Sequence, residues 1–338
     1  MNRLEIEPGE KYALIAVPQV ALEWPSNPET IELGDGIWFA KGLPFHLAAH
    51  WQEWIGSIRA KQLIGADLCI CVKAKCRVPE SLDDENQTLL GRVGRIFQGL
   101  QLAAPLRCGG EIEQLTGAHG EDGIDVRQVA TLPSPVHSGV NVSHRPGLEA
   151  FRLAVRLGPI LSSFPTGKYV RLCRVLNAFF LGIRQADIRE RLHQFCRCVE
   201  GLLLTEPGKT TRQFKSRTEL FVGPQQHELM GAIYDNRSAV EHMGEPVLSE
   251  TDERVRRKRF VEFAVFCEEL ARYCVVNALL MEALRPYFED DATLAAFWAM
   301  PKAQRETIWG ARFDVTRCLE STRATELSNE QLGMPETN

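Results

Sequence analysis

The 338-residue sequence has little that would suit it to a membrane, to secretion or to coating a polyanion. No apolar run approaches the roughly 20 residues that cross a bilayer. The longest, Ala178–Ile183 and Val275–Met281, fall far short. The opening MNRLEIEPGE has no apolar core, so no signal peptide is expected. Positive charge is not in excess. Thirty-nine Lys and Arg against 44 Asp and Glu give a formal net charge of -5, which excludes a strongly basic coat but not a local basic patch. Ten cysteines without a secretion signal point to reduced thiols and a cytoplasmic protein. Asn141-Val142-Ser143 fits a glycosylation acceptor, which has no meaning without secretion.

Catalytic signatures are equally scarce. There is no HExxH, no GxSxG and no Gly-rich dinucleotide fingerprint. Gly208-Lys209-Thr210 imitates the end of a phosphate-binding loop, but Leu203 stands where the first Gly is needed. Gly167-Lys168 fails the same way at Ser162. Cys69, Cys71 and Cys76 have the wrong spacing for zinc, and Cys196 and Cys198 diverge on a helix, so buried thiols and no metal are expected. His46, His50, His119, His137, His144 and His227 have no convincing partners. No cofactor is implied.

What is present is ordinary globular material, 44% hydrophobic and 25% charged, in a length that suggests two domains at roughly 150 residues each. The fold class expected is α+β, mostly α. Residues 1–145 read as a mixed α/β domain. Strand-like runs lie at Lys11–Val20 and Ile31–Ala40, and helices at Leu43–Ile58 and Leu82–Leu102. In Ala66–Ala74, Leu68, Ile70 and Val72 alternate with Cys69, Cys71 and Lys73, which suits a strand covered on both faces. Two short strands and a linker fill 105–145. Residues 146–320 read as helical, with segments at 147–163, 169–184, 187–205, 210–222, 225–243, 250–284, 291–299 and 301–319. Asp187 suits an N-cap, and Ser249-x-x-Asp252 a capping box. Residues 321–338 read as a flexible tail.

One helix stands out. Between Gln225 and Met243, Leu229, Ile233, Arg237 and Val240 share a face, so Arg237 falls on an apolar stripe. A buried guanidinium needs an anionic partner or ligand. His242 follows five residues later, just before Gly244. Arg237 and Glu241 are also spaced as an ordinary i,i+4 ion pair, and a histidine near a helix C-terminus is a common dipole partner.

Tyr234-Asp235-Asn236-Arg237-Ser238-Ala239-Val240-Glu241-His242 resembles the signature of HEPN domains, specifically the Apea-like branch. Phe195–Leu203, with Glu200 before a small residue and leucines, resembles a second piece of that family. Lys215-Ser216-Arg217 resembles a third, and the helix carrying Glu268, Glu269, Leu270 and Tyr273 a fourth. The resemblance spans roughly residues 147–285 and implies an all-α HEPN-like bundle. It implies a metal-independent endoribonuclease, an effector of a bacterial defence or toxin system, that dimerises with itself. His242 would act as base or acid. Arg237 would bind phosphate, Glu200 would orient Arg237, and Asn236 and Ser238 would be supporting donors. Ser238 stands where many ribonuclease members carry Asn, Asp or His.

Arg254, Arg256, Arg257, Lys258 and Arg259 open the long sixth helix. Cations there oppose the helix dipole, and RNA binding would account for them. Pairing with Glu250, Asp252, Glu253 and Glu262 would do so equally. Two other functions stand beside the ribonuclease: a non-catalytic RNA- or nucleotide-binding module, and a dimerising assembly protein.

Overall fold

Glycine and the alternation of side chains decide the first half of the chain. The structure is a computed structural model that describes residues 4–25, 28–76, 82–106, 108–120, 123–136, 145–164, 167–245, 247–248, 250–323, 327–328 and 332. His137, His144, Ser249 and the Asn141-Val142-Ser143 motif lie outside the described residues. The chain forms two compact units. One comprises 1–135 and 144–163, the other 136–143 and 164–338.

The first unit holds an antiparallel sheet. Its strands are β1 (Glu10–Val17), β2 (Thr30–Glu32), β3 (Ile37–Ala40), β4 (Leu68–Lys75), β5 (Ile112–Gly120), β6 (Gly123–Ile124) and β7 (Gln128–Leu132). They run in the order β2-β3-β4-β1-β5, with β6 and β7 both pairing with β5. β1 is central and pairs with β4 so that Val17 faces Leu68 and Glu10 faces Lys75. The alternation in β4 has the consequence read from it. Leu68, Ile70 and Val72 enter one core, with Val93, Ile96 and Leu100. Cys69 and Cys71 enter the other, with Leu14, Ala16 and Leu63.

The run 31–40 is a hairpin rather than one strand. Gly34, Asp35 and Gly36 all have positive φ, which turns the chain between β2 and β3. The helix expected over 43–58 is two shorter ones, α1 (Ala49–Ile55) and α2 (Ser57–Ile64), separated by Gly56 at φ 95°. α3 (Asp84–Ala103) begins where Asp83 accepts hydrogen bonds from the backbone of Glu85 and Asn86. Asp83 and Glu85 also hold the buried Lys11.

α4 (Leu148–Ser162) differs from the expected division. Placed with the helical half by sequence, it belongs to the sheet unit, so the boundary lies near residue 163 instead of 145. Phe151 and Ala154 sit in the core beneath α3. A Cβ on Gly99 of α3 would lie 2.6 Å from the Ala154 carbonyl, so the two helices meet through bare backbone.

The second unit is helical among its described residues. It contains α5 (Val170–Gly182), α6 (Ile188–Leu203), α7 (Thr210–Val222), α8 (His227–Glu241), α9 (Glu253–Leu280), α10 (Asp291–Ala299), α11 (Lys302–Trp309) and α12 (Val315–Arg323). Asp187 caps α6 and Asp252 caps α9. Gly310, at φ 83°, divides the helix expected over 301–319 into α11 and α12. The charges buried in the bundle are paired. Arg191 and Arg272 both donate to Glu268, and Arg191 also donates to the Val136 carbonyl at 2.7 Å. The tail reading needs correction where residues are described. Leu327 and Leu332 are buried against Val261 and Val265 of α9. Their apolar side chains outweigh the polar composition around them.

The architecture is thus α+β, with helices outnumbering strands. Among the described residues no helix is long and apolar enough to cross a membrane.

Candidate functional site

Arg237 is brought to Glu200 by the packing of α8 on α6. The buried face of α8 is turned by about one residue from the stripe read in sequence. It runs through Met230, Ile233, Tyr234 and Arg237, while Leu229 and Val240 are only partly covered. Arg237 remains on it and is 8% exposed. Its Nη2 donates to Glu200 Oε2 at 3.1 Å, and its Nη1 donates to Glu241. The ordinary i,i+4 pair and the long-range partner both form. Nε is buried without a hydrogen-bond partner, and the guanidinium carbon lies 5.6 Å from the Tyr234 ring centroid. Burial raises the Tyr234 phenol, with Glu200 adding to the effect.

His242 is the C-terminal cap residue of α8 and is exposed. Its side chain makes no hydrogen bond or ion pair with a described residue, Arg237 included. The chain then turns through Met243, at φ 56°, and the Gly244 amide closes onto the Ala239 carbonyl at 2.7 Å. Asn236 faces another way. Fully buried, it donates to the Ala232 carbonyl at 2.8 Å and the Val247 carbonyl at 3.0 Å, fastening the segment after α8. Ser238 is partly buried, and its hydroxyl has no partner among the described residues.

The histidine that sequence reasoning passed over is His193. It precedes Glu200 by seven residues, two turns of α6, and so lies on the same face. That spacing was the signal available. Its Nδ1 is buried without a partner. Burial first, and the charge of Arg237 second, hold its pKa below the ordinary histidine value, with Glu241 opposing. A neutral imidazole therefore stands within electrostatic reach of the clamped guanidinium. Two carboxylates hold the guanidinium and a neutral histidine lies within its electrostatic reach, which are parts for proton transfer beside a fixed cation, while His242 ends the same helix as Arg237, five residues on, without touching them.

The remaining pieces of the motif have structural work. Arg217 Nη1 donates to the carbonyls of Leu203 at 2.5 Å and Leu204 at 2.6 Å, closing the end of α6. Lys215 lies near Glu228, at 3.8 Å. Glu268 belongs to the buried Arg191–Arg272 network.

The basic run is turned inward on its own chain. Arg256 and Arg257 pair with Glu253, and Arg259 pairs with Glu262 at 2.8 Å. Arg254 donates to the Leu327 carbonyl, Arg257 to the Leu332 carbonyl and Lys258 to the Arg323 carbonyl. Two of the four acids weighed as partners, Glu253 and Glu262, are used.

All ten cysteines are free. Among the described residues no cluster of three or more His, Cys, Asp or Glu side chains is placed to hold a metal ion. No family model matches the chain, and neither does a curated protein or a solved structure.

Proposed function

We propose that the helical unit cleaves RNA without a metal ion, in the manner of the HEPN ribonucleases its sequence resembles. One arrangement carries this reading. A guanidinium fixed by two carboxylates has a histidine kept neutral on one helix and an exposed, unpaired histidine at the end of another. RNA brings its own nucleophile. In the proposed step the 2'-oxygen forms a bond to phosphorus and the bond to the 5'-oxygen breaks. One histidine takes the 2'-hydroxyl proton, and a protonated one supplies the leaving oxygen with its proton. Arg237 stabilises the charge gathering on the phosphoryl oxygens. The products are a 2',3'-cyclic phosphate and a 5'-hydroxyl. A homodimer would place two such sites together.

A second reading is favoured by one observation. Both terminal nitrogens of Arg237 are already engaged by carboxylates, so phosphate must displace one of them to bind. On this reading Arg237 is a clamp between α6 and α8, and the unit is an assembly or RNA-binding module without catalysis.

The test is incubation of the full chain with mixed single-stranded RNA in EDTA, beside His242→Ala and His193→Gln, with mapping of product ends. Cyclic-phosphate ends formed by the wild type and lost in His242→Ala support the ribonuclease. A folded wild type that leaves the RNA intact favours the clamp, and a fully active His242→Ala removes His242 from the proposed step. Arg237→Ala is less suited to the question, because removing a buried ion-pair partner threatens the fold.

A further inference from the structure

The helical unit also holds a cavity of about 320 Å³, bounded by α5, α6 and the start of α10. That volume lies at the lower end of the roughly 300–1,000 Å³ of small-molecule sites. Val170, Arg171, Arg174, Val175 and Ala178 line it from one face of α5, and Arg197 and Gly201 from α6. α5 and α6 meet closely at its floor. A Cβ on Gly201 would lie 2.5 Å from Val175 Cγ2.

Three arginines and three acids line this space, but they are not equally occupied. Every acid has a partner. Asp291 accepts from Arg171 through Nε at 2.6 Å and Nη2 at 2.7 Å. Glu289 pairs with Lys168, and Asp290 caps α10 by accepting from the Thr293 amide at 2.8 Å. The bonds from Arg171 and Thr293 hold the carboxyls of Asp291 and Asp290 below the ordinary range, so both stay ionised and occupied. Arg174 and Arg197 are exposed and make no hydrogen bond or ion pair with a described residue. The charge of Arg174 reaches Asp291, which Arg171 already holds, and that of Arg197 reaches His193.

From this imbalance we infer that the cavity binds a small phosphorylated molecule, with the phosphate between Arg174 and Arg197. Two guanidinium forks present paired donors to tetrahedral oxygens. The anion offsets two like charges that share one cavity. Val170, Val175 and Ala178 offer apolar surface to the rest of the ligand. Glu289, Asp290 and Asp291 line the same space but are each already engaged, so the two unpaired arginines are the groups left for an anion. The inference does not depend on RNA cleavage, since Arg237, Glu200 and His242 take no part in it.

Isothermal titration of the full chain tests it, with inorganic phosphate, AMP and adenosine as probes. Wild type is expected to bind phosphate and AMP saturably and in competition. The Arg174→Ala/Arg197→Ala double variant is expected to lose about tenfold or more in affinity for both. Arg156→Ala, an exposed arginine of the sheet unit, is expected to bind as wild type does. AMP binding tighter than phosphate, with adenosine silent, assigns an organic phosphate. Phosphate binding equal to or tighter than AMP overturns the organic part and leaves a free-phosphate site. No saturable binding by wild type, or equal binding by a double variant with unchanged melting temperature, overturns the site itself.

Discussion

Arg237 on α8 and Glu200 on α6 are 37 residues apart in sequence and 3.1 Å apart in space. Their contact, with Glu241 on the other side of the guanidinium, ties two helices through charge. Arg237→Ala leaves two carboxylates facing each other without a cation, one of them largely covered. The expected loss is about 3 kcal/mol, the lower end for a broken buried pair because Glu241 is partly solvated. Arg237→Lys keeps the charge but not the fork, and loses less. Urea denaturation midpoints measure both. An Arg237→Ala midpoint indistinguishable from wild type would show that the pairs contribute nothing.

His193 predicts a dependence on acid. Its folded pKa is lowered by burial and by Arg237, so the folded chain resists a proton that the unfolded chain accepts. The stability it contributes is complete above the ordinary histidine value, about 6.5, and is lost as pH falls through that value toward the lowered one. His193→Gln is expected to flatten this part of the profile. Denaturation midpoints taken between about pH 7.5 and about pH 5 check it, and parallel wild-type and variant profiles would refute it.

Gly99→Ala is expected to force α3 and α4 apart, since the new methyl would lie 2.6 Å from the Ala154 carbonyl. Overpacking of this kind costs about 1–3 kcal/mol. Loss of stability with lowered protection of α4 amides, read by hydrogen exchange, would tie α4 to the sheet unit. Unchanged exchange in α4 would contradict that packing.

Met243→Gly is expected to stabilise the chain. Met243 sits in the left-handed region at φ 56° and is 98% exposed, so the methionine has backbone strain and no packing to lose. Glycine relieves roughly 1 kcal/mol of such strain. A rise in melting temperature of the variant checks it, and a fall would show that the turn prefers the side chain.

The sequence was most legible where one local rule acted alone. Leu68, Ile70 and Val72 against Cys69 and Cys71 announced a strand with two covered faces, and Asp187 announced the start of α6. Arg237 on an apolar face also announced that an anion must meet it, which Glu200 does. What stayed hidden depended on distant partners. Nothing within 147–163 says that α4 packs under α3, because the deciding residue is Gly99. His193 drew no notice because its meaning comes from Arg237 on another helix. For the run from Arg254 to Arg259 the sequence offered RNA or nearby acids as partners, and the carbonyls it also meets, at Arg323, Leu327 and Leu332, were hidden because they lie far along the chain.

The central place of β1 sets an order of assembly. Its partners on either side are β4, beginning at Leu68, and β5, beginning at Ile112. As the chain is synthesised, β1 waits for the first partner and then much longer for the second, with unpaired backbone exposed on at least one edge throughout. The core beneath α3 is closed only when Phe151 and Ala154 arrive on α4. The pairings of the sheet unit are therefore non-local, the kind that forms slowly, and the interval before α4 is made is when its strand edges and core are least covered.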